Sequence, residues 1–289
     1  MAIIGKRNQL PILRQAPPGF FLDGGEHGEI LLPGKYITPE MKLGGMADVF
    51  ICRDSEDRLV ATTDRPFAEV GDFAFLEIVG IQPGIGAFLD WGLEKDLLLP
   101  RREQSGFLKV GDRVVVHVFL DEKSDRIVAT TRLHRWFRKT PPVYAKDEPV
   151  KLMISGETPL GYNAIIGNAH RGLLYHSDLA DPLEIGRVLD GFVRTVRPDG
   201  KLDLALDRTG FARIAPLTDQ ILEALLAAGG RLPYDDASSP EAIRAAFGVS
   251  KKAFKQALGA LYRKRLIRIG PGEIISSDLF RLLKSSPGR

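Results

Sequence analysis

The chain has 289 residues, of which 44% are hydrophobic and 27% are charged, and its net charge is +3. These values are ordinary for a soluble globular protein. No apolar run is long enough to span a bilayer, and the N-terminus lacks the pattern of a signal peptide, so we expect a cytoplasmic protein with no membrane partner. The single cysteine, Cys52, excludes an internal disulfide and a thiolate metal site, and its apolar neighbours indicate a packed thiol.

A long sequence repeat occupies the first half of the chain. The heptapeptide Asp-Arg-Leu-Val-Ala-Thr-Thr at 57–63 returns with one change at 125–131, 68 residues later. Upstream, Gly19–Asp23 and Gly86–Asp90 match in the same way. A unit of this length is too long for a solenoid repeat and suits a small self-contained β-domain. The repeat therefore predicts two similar domains in tandem.

The second copy shows its strands most clearly. We predict five short strands, separated by turns rich in Gly, Pro and Asp, at 73–79, 86–90, 96–100, 114–120 and 126–131. Five strands within about sixty residues, with glycine between them, are typical of a small closed Greek-key barrel such as the OB-fold. An open sheet of this size would expose its edges.

A third unit of the same kind follows a Pro-Pro linker at 141–142. It shares fewer residues with the first two copies, but its predicted strands come in the same order, at 150–155, 160–166, 172–179, 188–195 and 201–206. We therefore predict three tandem OB-fold barrels, assigned to residues 1–66, 67–139 and 143–212.

From Pro216 onward the hydrophobic pattern becomes that of helices. We predict helices at 219–228, 239–247 and 251–265, and then a hairpin at 267–275 around a Gly-Pro-Gly turn. Three helices and a β-wing form a winged helix-turn-helix, assigned to 216–280, with a frayed tail at the C-terminus. The predicted fold class is mainly β, with a small α+β domain at the end.

The excess positive charge lies in this last domain. Residues 216–289 contain 12 Lys or Arg and 7 Asp or Glu, so the segment carries +5 and the rest of the chain carries −2. A basic recognition helix can lie against a phosphate backbone, whereas a solubilising charged face needs no partner. Winged helices also dock on proteins. The candidate phosphate contacts surround the third helix and the wing: Lys251, Lys252, Lys255, Arg263, Lys264, Arg265 and Arg268.

Four segments carry a family resemblance. Tyr162–Ile166 and Gly172–Ser177 resemble the RNA-binding repeat of ribosomal protein S one, an OB-fold barrel. Tandem barrels of this kind with a winged helix resemble, over about the whole chain, the bacterial family called conserved virulence factor B. Its most specific segments here are Gly86–Gly92 and Asp96–Pro100. The resemblance implies a cytosolic regulator that binds single-stranded RNA, with no catalysis, metal or cofactor.

In the S-one repeat, bases stack on two positions of one strand, and a histidine follows the next strand. The resemblance places the stacking positions of the third unit on Tyr162 and Ile165 and the histidine position on Tyr175. Exposed aromatic faces bind bases without sequence preference, so we expect Tyr162 and Tyr175 to stack on RNA. His176 lies beside Ser177, but the resemblance places it at a strand end among the RNA contacts rather than in a catalytic pair.

The first two units depart from this stacking pattern. The same positions fall on Ile85 and Phe88 in the second unit, and only Phe21 matches in the first. Phe21 and Phe88 are interpreted as core residues of alternating strands and, alternatively, as base contacts. Trp91, in a loop beside a glycine, either stacks on a base or braces neighbouring barrels.

A second basic and aromatic cluster precedes the linker, formed by Arg135, Trp136, Phe137, Arg138 and Lys139. Its aromatic residues are either exposed contacts or packed between domains. Either interpretation is compatible with the linker that follows.

The sequence contains no dinucleotide fingerprint, phosphate-loop motif, paired-histidine zinc motif or Gly-x-Ser-x-Gly turn. Its five histidines are scattered without ligand spacing. A non-catalytic RNA-binding regulator is the predicted function. Two alternatives remain: an adaptor whose winged helix docks on an acidic protein, and a regulator that binds DNA through the winged helix alone.

Overall fold

The protein folds into three closed barrels and a winged helix. The fold is given by a computed structural model, which describes residues 1–179, 181–206 and 211–277, without the side chains of 211–216. The chain divides into two compact units, Met1–Phe137 and Arg138–Arg289. Each barrel has five strands, and the predicted fold class is confirmed.

The first unit contains two barrels with the same strand order. Barrel 1 consists of β1 (Arg7–Ala16), β2 (Gly19–Asp23), β3 (Glu29–Pro33), β4 (Met46–Arg53) and β5 (Leu59–Thr62). Barrel 2 consists of β6 (Phe73–Gln82), β7 (Gly86–Asp90), β8 (Leu97–Pro100), β9 (Arg113–Asp121) and β10 (Arg126–Thr130). In both, the second strand pairs with the first and third, and the third pairs in parallel with the fifth. This is the closed Greek-key arrangement expected from the sequence.

A glycine begins the second strand of the two barrels because the third strand passes too closely for any side chain. An added Cβ would lie 2.0 Å from the carbonyl oxygen of Leu32 at Gly19 and 2.3 Å from that of Leu99 at Gly86. Real Cβ atoms do not approach backbone this closely. These glycines therefore mark equivalent positions in the two barrels.

Barrels 1 and 2 pack directly on each other. Phe50 on β4 belongs to the core of barrel 2, where its ring meets Trp91 edge-on with centroids 5.7 Å apart. The backbone N–H of Val70 donates to the carbonyl oxygen of Gly5 at 2.9 Å. The first unit is thus one packed body rather than two barrels on a flexible tether.

The two copies of the repeated heptapeptide meet at this junction. Arg126 of the second copy forms an ion pair with Asp57 of the first. Arg53, which precedes the first copy in barrel 1, donates from Nε to the carbonyl oxygen of Asp125 in the second copy at 2.9 Å. Asp57 and Asp125 both have left-handed backbone, with φ of 61° and 49°, as tight turns require.

The segment after β10 folds back on barrel 2. The ring of Trp136 lies 4.5 Å from that of His117 and 4.6 Å from that of Phe119, and Phe137 stacks on Phe73 at 5.2 Å. The aromatic half of the second cluster therefore contacts its own barrel, and Trp136 keeps 36% of its surface exposed. His117 is 4% exposed, and burial lowers its pKa to about 4.

The second unit contains barrel 3 and the winged helix. Barrel 3 has the same strand order, with β11 (Glu148–Thr158), β12 (Gly161–Ile166), β13 (His170–Tyr175), β14 (Val188–Val196) and β15 (Leu202–Ala205). The winged helix consists of α1 (Phe211–Ala227), β16 (Arg231–Leu232), α2 (Pro240–Phe247), α3 (Lys251–Arg263), β17 (Ile267–Gly270) and β18 (Glu273–Ser276). No helix within the described ranges is long and apolar enough to cross a membrane.

The helix boundaries follow from caps, with two departures from prediction. The hydroxyls of Ser239 and Ser250 accept from the N–H groups three residues later, which fixes the starts of α2 and α3 as expected. α3 ends at Arg263 because Arg265 adopts left-handed backbone, with φ of 57°. α1 begins at Phe211 rather than 219, since the helix continues through Pro216, which the prediction took for a boundary.

Candidate nucleic-acid interface

Each barrel carries a row of three side chains on its outer face, one from each of the second, third and fifth strands. Backbone pairing aligns these residues, and aligned neighbours share one face of a sheet. We call the rows outer triplets. They are Phe21, Leu31 and Val60 in barrel 1; Phe88, Leu98 and Val128 in barrel 2; and Asn163, Leu173 and Asp203 in barrel 3.

The outer triplet of barrel 2 lines a cleft between barrels 1 and 2. This cleft has a volume of about 800 Å³. Phe88 and Leu98 line it from barrel 2, and Leu31 and Val60 line it from barrel 1. Phe88 is partly exposed and outside the core, which instead takes its neighbours Ala87 and Leu89. The preferred expectation of a core role for Phe88 is therefore wrong.

Phe21 occupies the same repeat position as Phe88 but lies outside the cleft. Its ring is partly exposed and is covered by the guanidinium of Arg14, 3.8 Å from the ring centroid. Arg14 is held there by Glu29 at 2.6 Å. The core position beside it belongs to Phe20, which is 6% exposed, so the core expectation fails for Phe21 as well.

The charges around the cleft are nearly balanced, with five basic and four acidic side chains in its lining. Arg58 pairs with Asp54 at 2.8 Å, and Arg126 pairs with Asp57. The hydrogen bond from Arg126 lowers the pKa of the Asp57 carboxyl, which stays ionised at neutral pH. The cleft is therefore apolar at its walls and close to neutral at its mouth.

Trp91 braces the two barrels. It is 4% exposed, and its Nε1 donates to the carbonyl oxygen of Lys95 at 2.6 Å. Trp91 is almost fully buried against Phe50 of barrel 1, so the bracing alternative is the one observed. Cys52 lies nearby, and burial raises the pKa of its thiol to about 11, as expected for a packed cysteine.

The expectation of an exposed Tyr162 ring is wrong. Gly161 is the glycine that begins the second strand of barrel 3, since a Cβ there would lie 1.9 Å from the Leu174 carbonyl oxygen. The residue after it, Tyr162, therefore points into the core, where it is 4% exposed, and Asn163 takes the outer position. Ile165 is buried too, at 3%. One residue of register exchanges the two faces of a strand.

Tyr175 lies on the outside of barrel 3 in a polar network. Its hydroxyl donates to Asp203 Oδ1 at 3.2 Å and accepts from Arg197, whose Nε also donates to Asp203 Oδ2 at 2.9 Å. His176 is exposed, with Nε2 3.0 Å from the Thr158 carbonyl oxygen. The ring of Tyr175 is only partly exposed, and its hydroxyl already has two partners.

The three lysines predicted on the recognition helix already have partners within the protein. Their contacts are Lys251 Nζ to the Ala237 carbonyl oxygen at 3.0 Å, Lys252 Nζ to Asp178 Oδ1 at 2.9 Å, and Lys255 Nζ to Asp236 Oδ2 at 3.6 Å. The charge pattern of the sequence could not show the pairing of Lys252, because Asp178 belongs to barrel 3.

Asp178 joins barrel 3 to the winged helix. It is 8% exposed and binds both Arg194 of barrel 3 and Lys252 of α3. Burial of this carboxylate raises its pKa, but the hydrogen bonds from Arg194 and Lys252 outweigh burial and lower the pKa below its ordinary value. The first turn of α3 therefore lies against barrel 3.

A basic surface remains at the other end of α3. Arg263, Lys264 and Arg265 are exposed, and none of them has an ion pair within the residues that the structure describes. Tyr262 beside them is 58% exposed, and Arg268 follows on the wing. We call residues 262–265 the basic end of α3.

Sequence reasoning missed Leu31, Val60 and Leu98 as cleft residues. All three lie within the repeated segments 30–33, 97–100 and 57–63, so the repeat itself was the available signal. Among the described side chains, no three His, Cys, Asp or Glu residues are grouped closely enough to hold a metal ion.

Family models match three segments of the chain. Residues 219–275 match the model of the family described as CvfB-like winged helix domain, and residues 4–64 and 71–132 match the S1 domain. The chain therefore contains two S1 domains and a CvfB-like winged helix domain. S1 domains and winged helices are classes of nucleic-acid-binding domain, and both are typically non-catalytic.

Relatives match nearly the whole chain. "Uncharacterized protein YitL" of Bacillus subtilis is 27% identical over 274 residues, covering 90% of this chain and 89% of its own. "Conserved virulence factor B" of Staphylococcus haemolyticus is 24% identical over 284 residues, covering 94% of each. A crystal structure of a multidomain protein with nucleic acid binding domains from Streptococcus pneumoniae is 23% identical, with a TM-score of 0.41 and coverage of 94% of this chain and 98% of that one.

Proposed function

We propose that the protein is a non-catalytic, cytoplasmic regulator that binds single-stranded RNA and controls gene expression after transcription. The observation that carries the proposal is the outer triplet of barrel 2, in which the partly exposed Phe88 stands among aliphatic side chains on an S1-type barrel. Bases of unpaired RNA stack on such surfaces at about 1–3 kcal/mol each. Stacking of this kind is tolerant of sequence.

The basic end of α3 supplies the complementary contact to phosphate. Its exposed cations Arg263, Lys264 and Arg265 are available to the RNA backbone, and each neutralised phosphate adds salt-dependent affinity. The first turn of α3 lies against barrel 3 through Lys252 and Asp178. This contact opposes DNA binding by α3 in a major groove, which requires the N-terminal part of the helix to face the bases.

A salt titration tests the proposal. Full-length protein is titrated against labelled single-stranded RNA and against duplex DNA at several salt concentrations, and we expect preference for the RNA. Replacing Arg263, Lys264 and Arg265 with Gln lowers the magnitude of the salt slope by about 0.7 for each phosphate that the variant no longer neutralises. A control replaces three exposed lysines elsewhere, Lys42, Lys109 and Lys146, and removes the same charge.

Three results separate the functions. If the two triple variants have equal salt slopes of RNA binding, the charge acts through the whole protein and not through the basic end of α3. Tighter binding to duplex DNA than to RNA supports a DNA regulator. No binding to either nucleic acid supports the protein adaptor. Crosslinking in cells followed by sequencing of the bound RNA tests the regulatory part, which requires enriched transcripts whose abundance changes when the gene is deleted.

A further inference from the structure

We infer that the cleft between barrels 1 and 2 holds unpaired bases of an RNA strand between its walls, so that the two barrels form one composite site. The inference rests on the proposed function and adds where the bases lie. Its first support is shape, since about 800 Å³ lies within the range of about 300–1,000 Å³ that accommodates a small organic ligand. Walls from two domains cover more of a planar ring than one barrel face does.

The second support is that the walls are held in place. Phe50 of barrel 1 is buried in the core of barrel 2, and Lys95 Nζ donates across the junction to the Asp54 carbonyl oxygen at 2.9 Å. The contact of Arg53 with the Asp125 backbone adds a third tie. A cleft whose walls do not move loses little entropy on binding.

The third support is the chemistry of the lining. Phe88 offers an aromatic face, and Leu31 and Val60 offer aliphatic surface from the other barrel. A purely apolar occupant would leave the nine charged side chains of the lining without a role, and a phosphate would need a clear excess of cations there. A base is planar and apolar on its faces and polar at its edges, so it matches both parts of the lining.

The mouth of the cleft suits the strand that carries the bases. Lys35 is 55% exposed and its partner Glu94 is 73% exposed, so this ion pair is weak. Arg58 is held more firmly, because it also pairs with Asp54, whose side chain is 21% exposed. A phosphate outside the cleft can therefore replace the Glu94 carboxylate at Lys35 while the bases lie between the walls.

The repeat provides a matched pair of variants. Phe88→Ala removes the aromatic wall, while Phe21→Ala removes the equivalent residue of barrel 1, which lies outside the cleft under Arg14. We expect Phe88→Ala to weaken binding of single-stranded RNA by about tenfold or more at every salt concentration with an unchanged salt slope. We expect Phe21→Ala to bind within about twofold of the parent protein.

A fluorescence readout locates the bound base. The chain has two tryptophans, so Trp136→Phe leaves Trp91, at the edge of the cleft, as the reporter. Short single-stranded RNA should change Trp91 emission in this background, and Phe88→Ala should abolish the change. Phe88→Leu keeps an apolar side chain of similar reach and replaces Phe88→Ala if circular dichroism shows that the alanine variant is unfolded.

Each result has one meaning. If the parent protein binds RNA and Phe88→Ala binds equally well, the composite site is refuted while the proposed function stands. Equal losses in Phe21→Ala and Phe88→Ala show two separate barrel faces and also refute it. If adenosine monophosphate changes Trp91 emission at the same concentration as the RNA, the cleft binds free nucleotides rather than a strand. If the parent protein binds no RNA, the proposed function itself fails.

Discussion

Barrels 2 and 3 share one strand order and one starting glycine, yet their outer triplets differ in chemistry. The triplet of barrel 2 is apolar and aromatic, whereas that of barrel 3 contains Asn163 and Asp203. Barrel 3 also has an aromatic residue on its second strand. Tyr162 directly follows the starting glycine, one position earlier than Phe88 in barrel 2, and therefore points into the core. The position of a residue on the strand, and not its presence in the motif, determines whether it can meet a base.

The two barrels also use their surfaces for different contacts. Barrel 2 faces barrel 1 across the cleft through Phe88 and Leu98. Barrel 3 uses Asp178 to bind the winged helix. Barrel 3 therefore supports the helix that carries the basic end of α3, and barrel 2 provides a wall for bases.

The sharpest test of this comparison is Tyr162→Ala. Because the ring is buried in the core of barrel 3, its loss should cost about 3–5 kcal/mol of folding free energy. The neighbouring Asn163→Ala, on the outer face, should change stability by no more than about 0.5 kcal/mol. Urea denaturation of both variants measures the difference. A Tyr162→Ala variant of unchanged stability that has lost RNA binding would restore the stacking role.

A pH titration should show the buried state of His117 in barrel 2. Its pKa of about 4 lies below the unfolded value of about 6.5, so the unfolded chain takes up the proton first as the pH falls. The stability from this group is complete above about pH 6.5 and falls by about 3 kcal/mol on reaching pH 4. His117→Phe should remove this part of the pH dependence in denaturation curves, and an unchanged curve would show that the ring is accessible to water.

Asp178→Ala should loosen the winged helix from barrel 3. Arg194 loses a buried partner, while Lys252 is half exposed and returns to water, so we expect a cost of about 2 kcal/mol. The lowered pKa of Asp178 means that its contribution is complete above about pH 4 and is lost as the pH falls further. Amide hydrogen exchange in the first turn of α3 should then become faster. Lys255→Ala, whose contact lies within the winged helix, is the control and should leave that exchange unchanged.

Tyr175→Phe should have the smallest effect. It removes the hydroxyl that joins Arg197 and Asp203 but keeps the ring, at a cost of about 1 kcal/mol. RNA affinity should stay the same, because the hydroxyl is already bound to Arg197 and Asp203. A clear loss of affinity would make barrel 3 an RNA-binding barrel in its own right and weaken its contrast with barrel 2.

The repeat made the fold of the first unit predictable, since a seven-residue match fixes how two copies align. In barrel 3 few residues matched, and an alignment anchored on the aromatic Tyr162 placed the wrong face outward. Gly161 was the better anchor, because its lack of a side chain is required by the backbone of the next strand.

Most of the candidate site depends on distant contacts, which local pattern does not contain. Lys252 looks like a free cation on its helix, and its partner Asp178 lies 74 residues earlier in the chain. Trp91 and Phe50 are brought together by the packing of two barrels. The exposed cations at the end of α3 were found from sequence because Lys and Arg side chains without a partner are almost never buried.

Strands β5 and β10 carry almost the same residues, and each closes a barrel beside the other. Strand β10 can therefore pair in barrel 1 and β5 in barrel 2. Tandem domains this similar are prone to exchange strands when they fold at the same time. On the ribosome β5 emerges 68 residues before β10, so barrel 1 closes before a competitor exists. A chain diluted from denaturant has both strands at once, and we expect it to refold with a trapped fraction that newly made protein lacks.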